Sequence, residues 1–390
     1  MQARGERGET TGRAASGTVH RLFAVAPPGL EAVTAREVET LGTPGRVRPG
    51  GVEFRGDLRG LYRANLHLRT AHRVLVRVAA FAAPGLAAVA RETARYPWEI
   101  YVPAGCPVRV RVTAHRSRLY HTGAVAERVL RGIADRLGRS VEPASGPSGA
   151  GEVLLVVRVA GSHLQVSVDS SGAHLHRRGW RRAHAAASLR ETLAAGMLLA
   201  AGWDGTAPLL DPFCGAGTIA VEAAFIAAGR APGIARSFAF EAWRNFDPAL
   251  FDELRELARR QERPVTAAIR GADLDPRAVR AARANAARAG VAEAVTFLRA
   301  PVEALEPVGD APGWIVSDPP YGRRSRVPGG AERAWAALGR RLRRRFSGWR
   351  VVVLGPDRLA PALGLPLEPL ALLDNGGLKV RLLRGRVPGR

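Results

Sequence analysis

Lysine is almost missing from this 390-residue chain: apart from Lys379, its 58 basic residues are all arginine. Two cysteines, Cys106 and Cys214, exclude a disulfide framework and a four-cysteine zinc site, and no metal site is expected. No apolar run approaches the roughly 20 residues that a membrane helix needs, so no membrane partner is expected. Met1 to Gly17 is rich in Arg, Gly and Thr and has no apolar stretch, which excludes a secretory signal. Residues 1–19 read as a disordered tail on a cytoplasmic protein. Acid is scarce as well: 35 Asp and Glu against 58 basic residues give a formal charge of +23. An excess of that size favours a polyanionic partner, RNA or DNA, although arginine amid abundant Ala, Gly and Pro also reflects compositional bias.

What is present begins with short, alternating elements. Arg21 to Ala26 reads as a strand, and Leu30 to Leu41 as a helix closed by Gly42. Gly51 to Arg55 reads as a strand, Asp57 to Leu66 as a helix and Arg73 to Phe81 as a strand, giving a βαβαβ unit over 20–82. A second unit over 83–171 holds a helix at Leu86–Ala94, a strand at Val108–Val112, a helix at Thr122–Leu137 and paired strands at Glu152–Val159 and His163–Asp169. Arg109, Arg111, His115, Arg116, Arg118 and His121 cluster on this unit, as a phosphate-contacting surface or as a solvated strand face.

Residues 172–205 form a basic link and a leading helix. Arg177, Arg178, Arg181 and Arg182 around Trp180 suit phosphates and a stacked base; the alternative is a linker with Trp180 pinned into the junction. Ser188, with Glu191 three residues on, has capping-box spacing, and the helix N-terminus favours an anionic group such as a carboxylate.

From about residue 206 strands and helices alternate, the pattern of a parallel sheet. Leu209-Leu-Asp-Pro-Phe-Cys-Gly-Ala-Gly217 is a strand running into a glycine turn, with Asp211 at the strand's carboxyl end. A dinucleotide fingerprint would bring the strand directly to the glycines, and Asp211 beside a pyrophosphate would be repulsive. A ligand with an α-amino group and no phosphate fits better, and S-adenosyl-L-methionine is such a ligand. Asp273 ends the next strand and is placed for ribose hydroxyls, whereas Asp275-Pro276 is a helix cap. Two last strands split by Asp374-Asn-Gly-Gly377 form a closing antiparallel hairpin.

The chemistry concentrates in Ile315-Val-Ser-Asp-Pro-Pro-Tyr-Gly322. A buried strand ends and the prolines hold the chain extended. The Asp318 carboxylate and the Asp318 and Pro319 carbonyls are then acceptors beside Tyr321, a flat face. Such a set suits a planar ring with an exocyclic amino group. Accepting its two hydrogens at Asp318 and the Pro319 carbonyl frees its lone pair for in-line attack on a methyl. Adenine, guanine and glutamine all fit these residues.

Asp211-Pro-Phe-Cys-Gly-Ala-Gly217 followed by Asp318-Pro-Pro-Tyr321 resembles the THUMP-domain class I RNA methyltransferases over residues 22–385. Pro28-Gly-Leu-Glu31, Arg73-Val-Leu-Val-Arg77 and Arg116-Ser-Arg-Leu-Tyr-His-Thr122 resemble a ferredoxin-like unit followed by a THUMP domain. The resemblance implies an α+β RNA-binding region ahead of an α/β Rossmann-like methyltransferase domain, mostly parallel with a closing antiparallel hairpin. It implies cofactor contacts at Thr192, Asp211, Pro212, Phe213, Cys214, Gly215, Ala216, Gly217, Thr218, Asp273, Leu274 and Asp318. Catalysis falls to Asp318, Pro319, Pro320 and Tyr321, and RNA contacts to Arg109, Arg111, Arg116, Arg118, Arg177, Arg178, Trp180 and Arg181. The excess length at Ala231–Arg263 and the Asp374 hairpin look like the branch that methylates guanine N2 in large-subunit rRNA; structured RNA, 23S rRNA or else tRNA, is the implied partner. One departure is Ala300-Pro301, where the family has an acid for the adenine amino group; either Glu303 substitutes or the backbone and apolar packing hold the adenine. The runners-up are a DNA amino-methyltransferase, a protein-glutamine methyltransferase and an RNA-binding protein with a relic site.

Overall fold

The computed structural model describes residues 18–389 apart from 148, 150, 183–188, 310 and 322–328, so the expected tail falls almost wholly outside it, as do Ser188 and Gly322. The N-terminal half contains strands β1 (His20–Val25), β2 (Arg46–Arg48), β3 (Gly51–Gly56), β4 (Arg73–Ala82), β5 (Val108–His115), β6 (Val153–Ala160) and β7 (His163–Asp169). Helices α1 (Glu31–Thr40), α2 (Leu58–His67), α3 (Leu86–Thr93) and α4 (Thr122–Leu137) lie between them. The Asp57 side chain caps α2 by accepting from the Gly60 N–H at 2.9 Å.

The expected division near residue 82 does not separate two sheets. At ten residues β4 is long enough to pair with β1 at its start and with β7 along its later part, Leu75 opposite Asp169 and Ala82 opposite His163. The result is one seven-stranded sheet, β2-β3-β1-β4-β7-β6-β5, over one continuous apolar core.

The C-terminal half begins with α5 (Glu191–Ala201). This helix starts at Glu191 with Arg190 as its N-cap, so Glu191 lies in the first turn and not at the third position that a capping box needs. β8 (Leu209–Asp211), α6 (Thr218–Ala228), α7 (Pro248–Arg260), β9 (Ile269–Asp273), α8 (Pro276–Arg288), β10 (Val295–Arg299), β11 (Trp314–Ser317), α9 (Gly330–Arg345), β12 (Arg350–Gly355), β13 (Leu367–Asn375) and β14 (Leu378–Arg386) follow. The sheet order is β10-β9-β8-β11-β12-β14-β13, parallel as far as β12 and closed by the antiparallel hairpin. From β8 the chain winds outward to β9 and β10, then returns to β11 on the other side. That reversal opens a crevice at the carboxyl ends of β8 and β11.

The excursion between α6 and β9 does not stay with its own sheet. Phe238, Phe240, Trp243, Phe251 and Leu254 are buried in the N-terminal core. Phe240 stacks on Tyr62 at 4.5 Å, and the Asp247 N–H donates to the Tyr62 hydroxyl at 3.0 Å. A stretch that looked like a lineage marker in the sequence therefore fastens the two halves together. Among the described residues no helix is long and apolar enough to cross a membrane.

Candidate active site

Asp211 ends β8 with 1 % of its surface exposed. Its Oδ1 accepts the Ser317 hydroxyl at 2.6 Å and the Phe213 N–H at 3.2 Å. Ser317 ends β11, so this hydrogen bond spans the crevice and ties the glycine turn to the Asp-Pro-Pro-Tyr loop. Burial pushes the Asp211 carboxyl up to about 7; the Ser317 and Phe213 hydrogen bonds pull it down and nearby Asp273 pushes it up.

The two glycines of the turn have different reasons. At Gly217, φ is +84° and a Cβ would lie 2.9 Å from the Phe297 ring, so close packing of α6 against β10 excludes a side chain. At Gly215, φ is +52° and a Cβ would meet nothing within 4 Å, so the backbone there borders open space. Cys214, just before them, is buried and its thiol is pushed up by burial, which makes it packing and not a nucleophile.

Asp273 ends β9. Its Oδ2 accepts the Gly215 N–H and its Oδ1 the Asp275 N–H, both at 2.9 Å. It thus holds the glycine turn and the start of α8 in one geometry. Asp275 accepts the Arg277 N–H at 2.8 Å as the cap of α8, as its place before Pro276 indicates. Leu274 between them is 53 % exposed, an apolar side chain left at the crevice rim. Glu303 is exposed on a short turn, Val302–Ala304.

Asp318 has a buried Oδ1 with no hydrogen-bond partner among the described residues. Burial pushes its carboxyl up to about 7, against the Tyr321 hydroxyl, which lowers it, and with the Asp211 charge, which raises it. The loop around it is braced from two sides. The Trp335 indole N–H of α9 donates to the Pro320 carbonyl at 3.1 Å, and the Asn375 side-chain amide donates to the Tyr321 hydroxyl at 2.7 Å. Trp335 and Asn375 carry no motif signal; Asn375 lies in the hairpin sequence, but its reach to Tyr321 depends on a strand pairing 54 residues away.

Asp211 and Asp273 are satisfied by neutral donors, hydroxyl and backbone N–H. Three converging acids of this kind leave a negative potential that a cationic ligand would relieve. With Gly215 bordering open space and Asp318 Oδ1 unsatisfied, the residues fit a ligand that carries an ammonium and a sulfonium.

The basic residues divide. Arg116 and Arg118 are exposed, as is Arg111, and Arg177 is exposed in the link. Arg109 is half-buried in a two-pronged pair with Glu152. Three expected RNA contacts are overturned by burial. Trp180 is 4 % exposed and packs in the core of the C-terminal half, so its ring is not offered to a base. Arg178, 2 % exposed, pairs with the fully buried Glu222 of α6. Arg181 pairs with Glu191 and donates to the Thr218 hydroxyl at 2.8 Å, securing the start of α6. Thr192 is fully buried, with its hydroxyl 3.4 Å from His72 Nδ1, a contact with the N-terminal half.

An acid-lined crevice at the reversal of a parallel sheet closed by an antiparallel hairpin is the construction of class I methyltransferases, whose methyl donor is S-adenosyl-L-methionine. Comparison with known proteins narrows the class. Residues 178–362 match the RMKL-like methyltransferase domain, and residues 21–75 match the RlmL ferredoxin-like domain. A relative from Synechocystis named "Putative RNA methyltransferase slr0064" is 33 % identical over 375 residues, covering 95 % of this chain and 97 % of its own. The chain belongs to the RMKL-like methyltransferase family. A "Ribosomal RNA large subunit methyltransferase K/L" from Syntrophotalea carbinolica is 35 % identical over 381 residues, 93 % of this chain and 53 % of that protein. The chain thus spans about half the length of the K/L relatives it matches. Among solved structures, "SMU.472, a putative methyltransferase complexed with SAH" is similar with a TM-score of 0.83 and 29 % identity, over 95 % of this chain and 98 % of that one. A "predicted N6-adenine-specific DNA methylase" from Listeria monocytogenes gives 0.83 and 30 %, over 96 % and 97 %.

Proposed function

We propose that this protein methylates the exocyclic N2 amino group of a guanine in structured RNA, in 23S rRNA before tRNA, working in the cytoplasm. The observation that carries the chemistry is the buried, unpartnered Asp318 Oδ1 in a loop braced by Trp335 and Asn375. The +23 charge, the exposed arginines of the second N-terminal unit, read here as THUMP-like, and the names of the Synechocystis and Syntrophotalea relatives support RNA over protein and over the DNA named for the Listeria structure.

S-adenosyl-L-methionine, when bound, supplies the methyl group. Asp211, Gly215, Asp273 and Leu274 would hold it, with the rest of the Pro212–Thr218 turn around it; Thr192, fully buried against His72, is left to the junction of the two halves. Asp318 and the Pro319 carbonyl accept the two hydrogens of the target amine, which draws its lone pair out of conjugation. A carboxyl that titrates near 7 can also take up the proton the amine sheds after transfer. Tyr321, held by Asn375, provides the face on which a base drawn out of its helix stacks.

Transfer of a labelled methyl group from the cofactor to 23S rRNA, tRNA, DNA and protein, followed by nucleoside mass spectrometry, tests this reading. Label in N2-methylguanosine of 23S rRNA is expected. Label in N6-methyladenosine, in DNA or in protein would overturn it, and label in tRNA alone would overturn the choice of RNA.

A further inference from the structure

Three imidazoles meet where the N-terminal sheet joins the methyltransferase half, outside the acid crevice. His72 lies just before β4; His174 and His176 lie in the link after β7. The His174 and His176 rings stack at 5.4 Å, and His72 stands edge-on to them at 6.2 and 6.4 Å. Each is half-buried, and the Nδ1 atoms of His174 and His176 are buried with no partner among the described residues. They are not placed to hold a metal ion.

Their surroundings are cationic. Arg73, Arg111, Arg177, Arg178 and Arg190 act on the three rings. The nearby acids are engaged: Asp169 pairs with Arg73, Glu222 with Arg178 and Glu191 with Arg181. Burial raises Asp169 to about 6 and Glu191 to about 7, so both titrate between pH 5.5 and 7.5 and only the part of the profile lost in the histidine variant belongs to the imidazoles. Arg177 and Arg190 are exposed. Thr192 touches His72 in the first turn of α5, where Glu191, paired with Arg181, already faces the N-terminus, so the positive potential at the rings comes from the arginines. Packing alone would be better served by apolar rings, because it leaves imidazole nitrogens unsatisfied.

We propose that His72, His174 and His176, with Arg177 and Arg190, form a subsite that binds a backbone phosphate of the RNA substrate across the junction of the two halves. This rests on the RNA reading above. It gives the protein a phosphate contact that neither half holds alone, one able to register the RNA relative to the crevice.

The free cluster is poised for linkage. Burial first, then the neighbouring arginines and imidazoles, lower His72 and His174 to about 4 and His176 to about 3, so the rings are neutral at pH 7. A phosphate favours the charged form and raises these values, so binding takes up protons. Affinity therefore rises as the pH falls through the raised values.

The test measures affinity for transcribed 23S rRNA and tRNA at pH 7.5 and 5.5, for the intact protein and for His174→Asn/His176→Asn. The intact protein is expected to bind more tightly at pH 5.5, by up to about tenfold for each unit by which the bound phosphate lifts an imidazole above about 5.5. The variant should bind more weakly at both values with a flatter profile, while binding S-adenosylhomocysteine as before. An unchanged affinity and profile in a variant that retains cofactor binding would overturn the proposal. Imidazole resonances of the intact protein, titrated with and without an RNA oligonucleotide or inorganic phosphate, give a second readout that needs no variant. Rings unmoved by RNA overturn the subsite; movement with phosphate but not with RNA assigns it to a free anion and overturns the RNA contact. If the intact protein binds neither RNA, the RNA reading itself falls.

Discussion

At the residue scale, the site turns on carboxyls that burial holds near neutrality. On the proposed chemistry, removing Asp318 would take away the acceptor matched to the amine and leave the cofactor cradle of Asp211, Gly215 and Asp273 intact. Asp318→Ala is expected to lower turnover by on the order of a hundred- to a thousandfold. S-adenosylhomocysteine affinity, measured by calorimetry, should stay near that of the parent. Asp211 gives a pH dependence with a definite sign. Its free carboxyl is raised to about 7, and a cationic ligand favours the carboxylate, so binding releases a proton. Affinity for S-adenosyl-L-methionine should therefore increase from pH 6 to pH 8, by at most about tenfold per pH unit for each proton released. Asp211→Asn should flatten that rise; a parent profile that falls with pH would contradict the assignment. That Asp211, Asp273 and Asp318 stand at strand ends was legible in the sequence, because each closes an apolar run. The buried Trp180 was there only as the alternative reading, and the Arg178 pairing was not legible. An arginine reads as exposed unless its acid is known, and Glu222 lies 44 residues away.

At the element scale, the catalytic loop depends on neighbours that no motif records. Trp335 is fully buried, and its indole N–H is the Pro320 carbonyl's donor from α9. Trp335→Phe keeps a ring there but leaves that carbonyl unsatisfied, at about 1–3 kcal/mol. The expected result is a larger fall in kcat than in cofactor affinity, read from steady-state kinetics beside calorimetry. The strands and helices themselves were recoverable from periodicity, with ends shifted by up to three residues, as at β5. β2 was missed because three exposed residues carry no alternation. The single N-terminal sheet was missed for a different reason: the sequence shows that β4 is long, not that β7 will pair with it.

The junction contrasts two neighbouring arginines. Arg178 is 2 % exposed against Glu222 at 0 %, so Arg178→Ala strands a buried carboxylate and should cost about 3–5 kcal/mol. Arg177, next in the chain and exposed, should change stability by no more than about 0.5 kcal/mol when replaced by alanine. Chemical denaturation of the two variants separates a structural arginine from one free to meet RNA. Equal losses would show that the division by burial is wrong.

At the scale of the whole molecule, the two halves act as one body because the aromatic excursion between α6 and β9 is buried in the opposite core. On the proposed function, RNA held on the N-terminal sheet would be presented to the crevice at a fixed offset, with the arginine excess as an address for phosphates. That excess is measurable as counterion release. Affinity for 23S rRNA should fall steeply with salt, with a log–log slope set by about 0.7–0.9 for each phosphate neutralised. Arg116→Ala and Arg118→Ala remove exposed charges beside β5, and each should reduce the slope by about one while weakening all RNA sequences alike. Arg109→Ala should reduce it less, because Glu152 already neutralises that guanidinium. A slope unaltered in all three variants would mean that the arginines of this sheet are surface composition and that RNA is held at the junction instead.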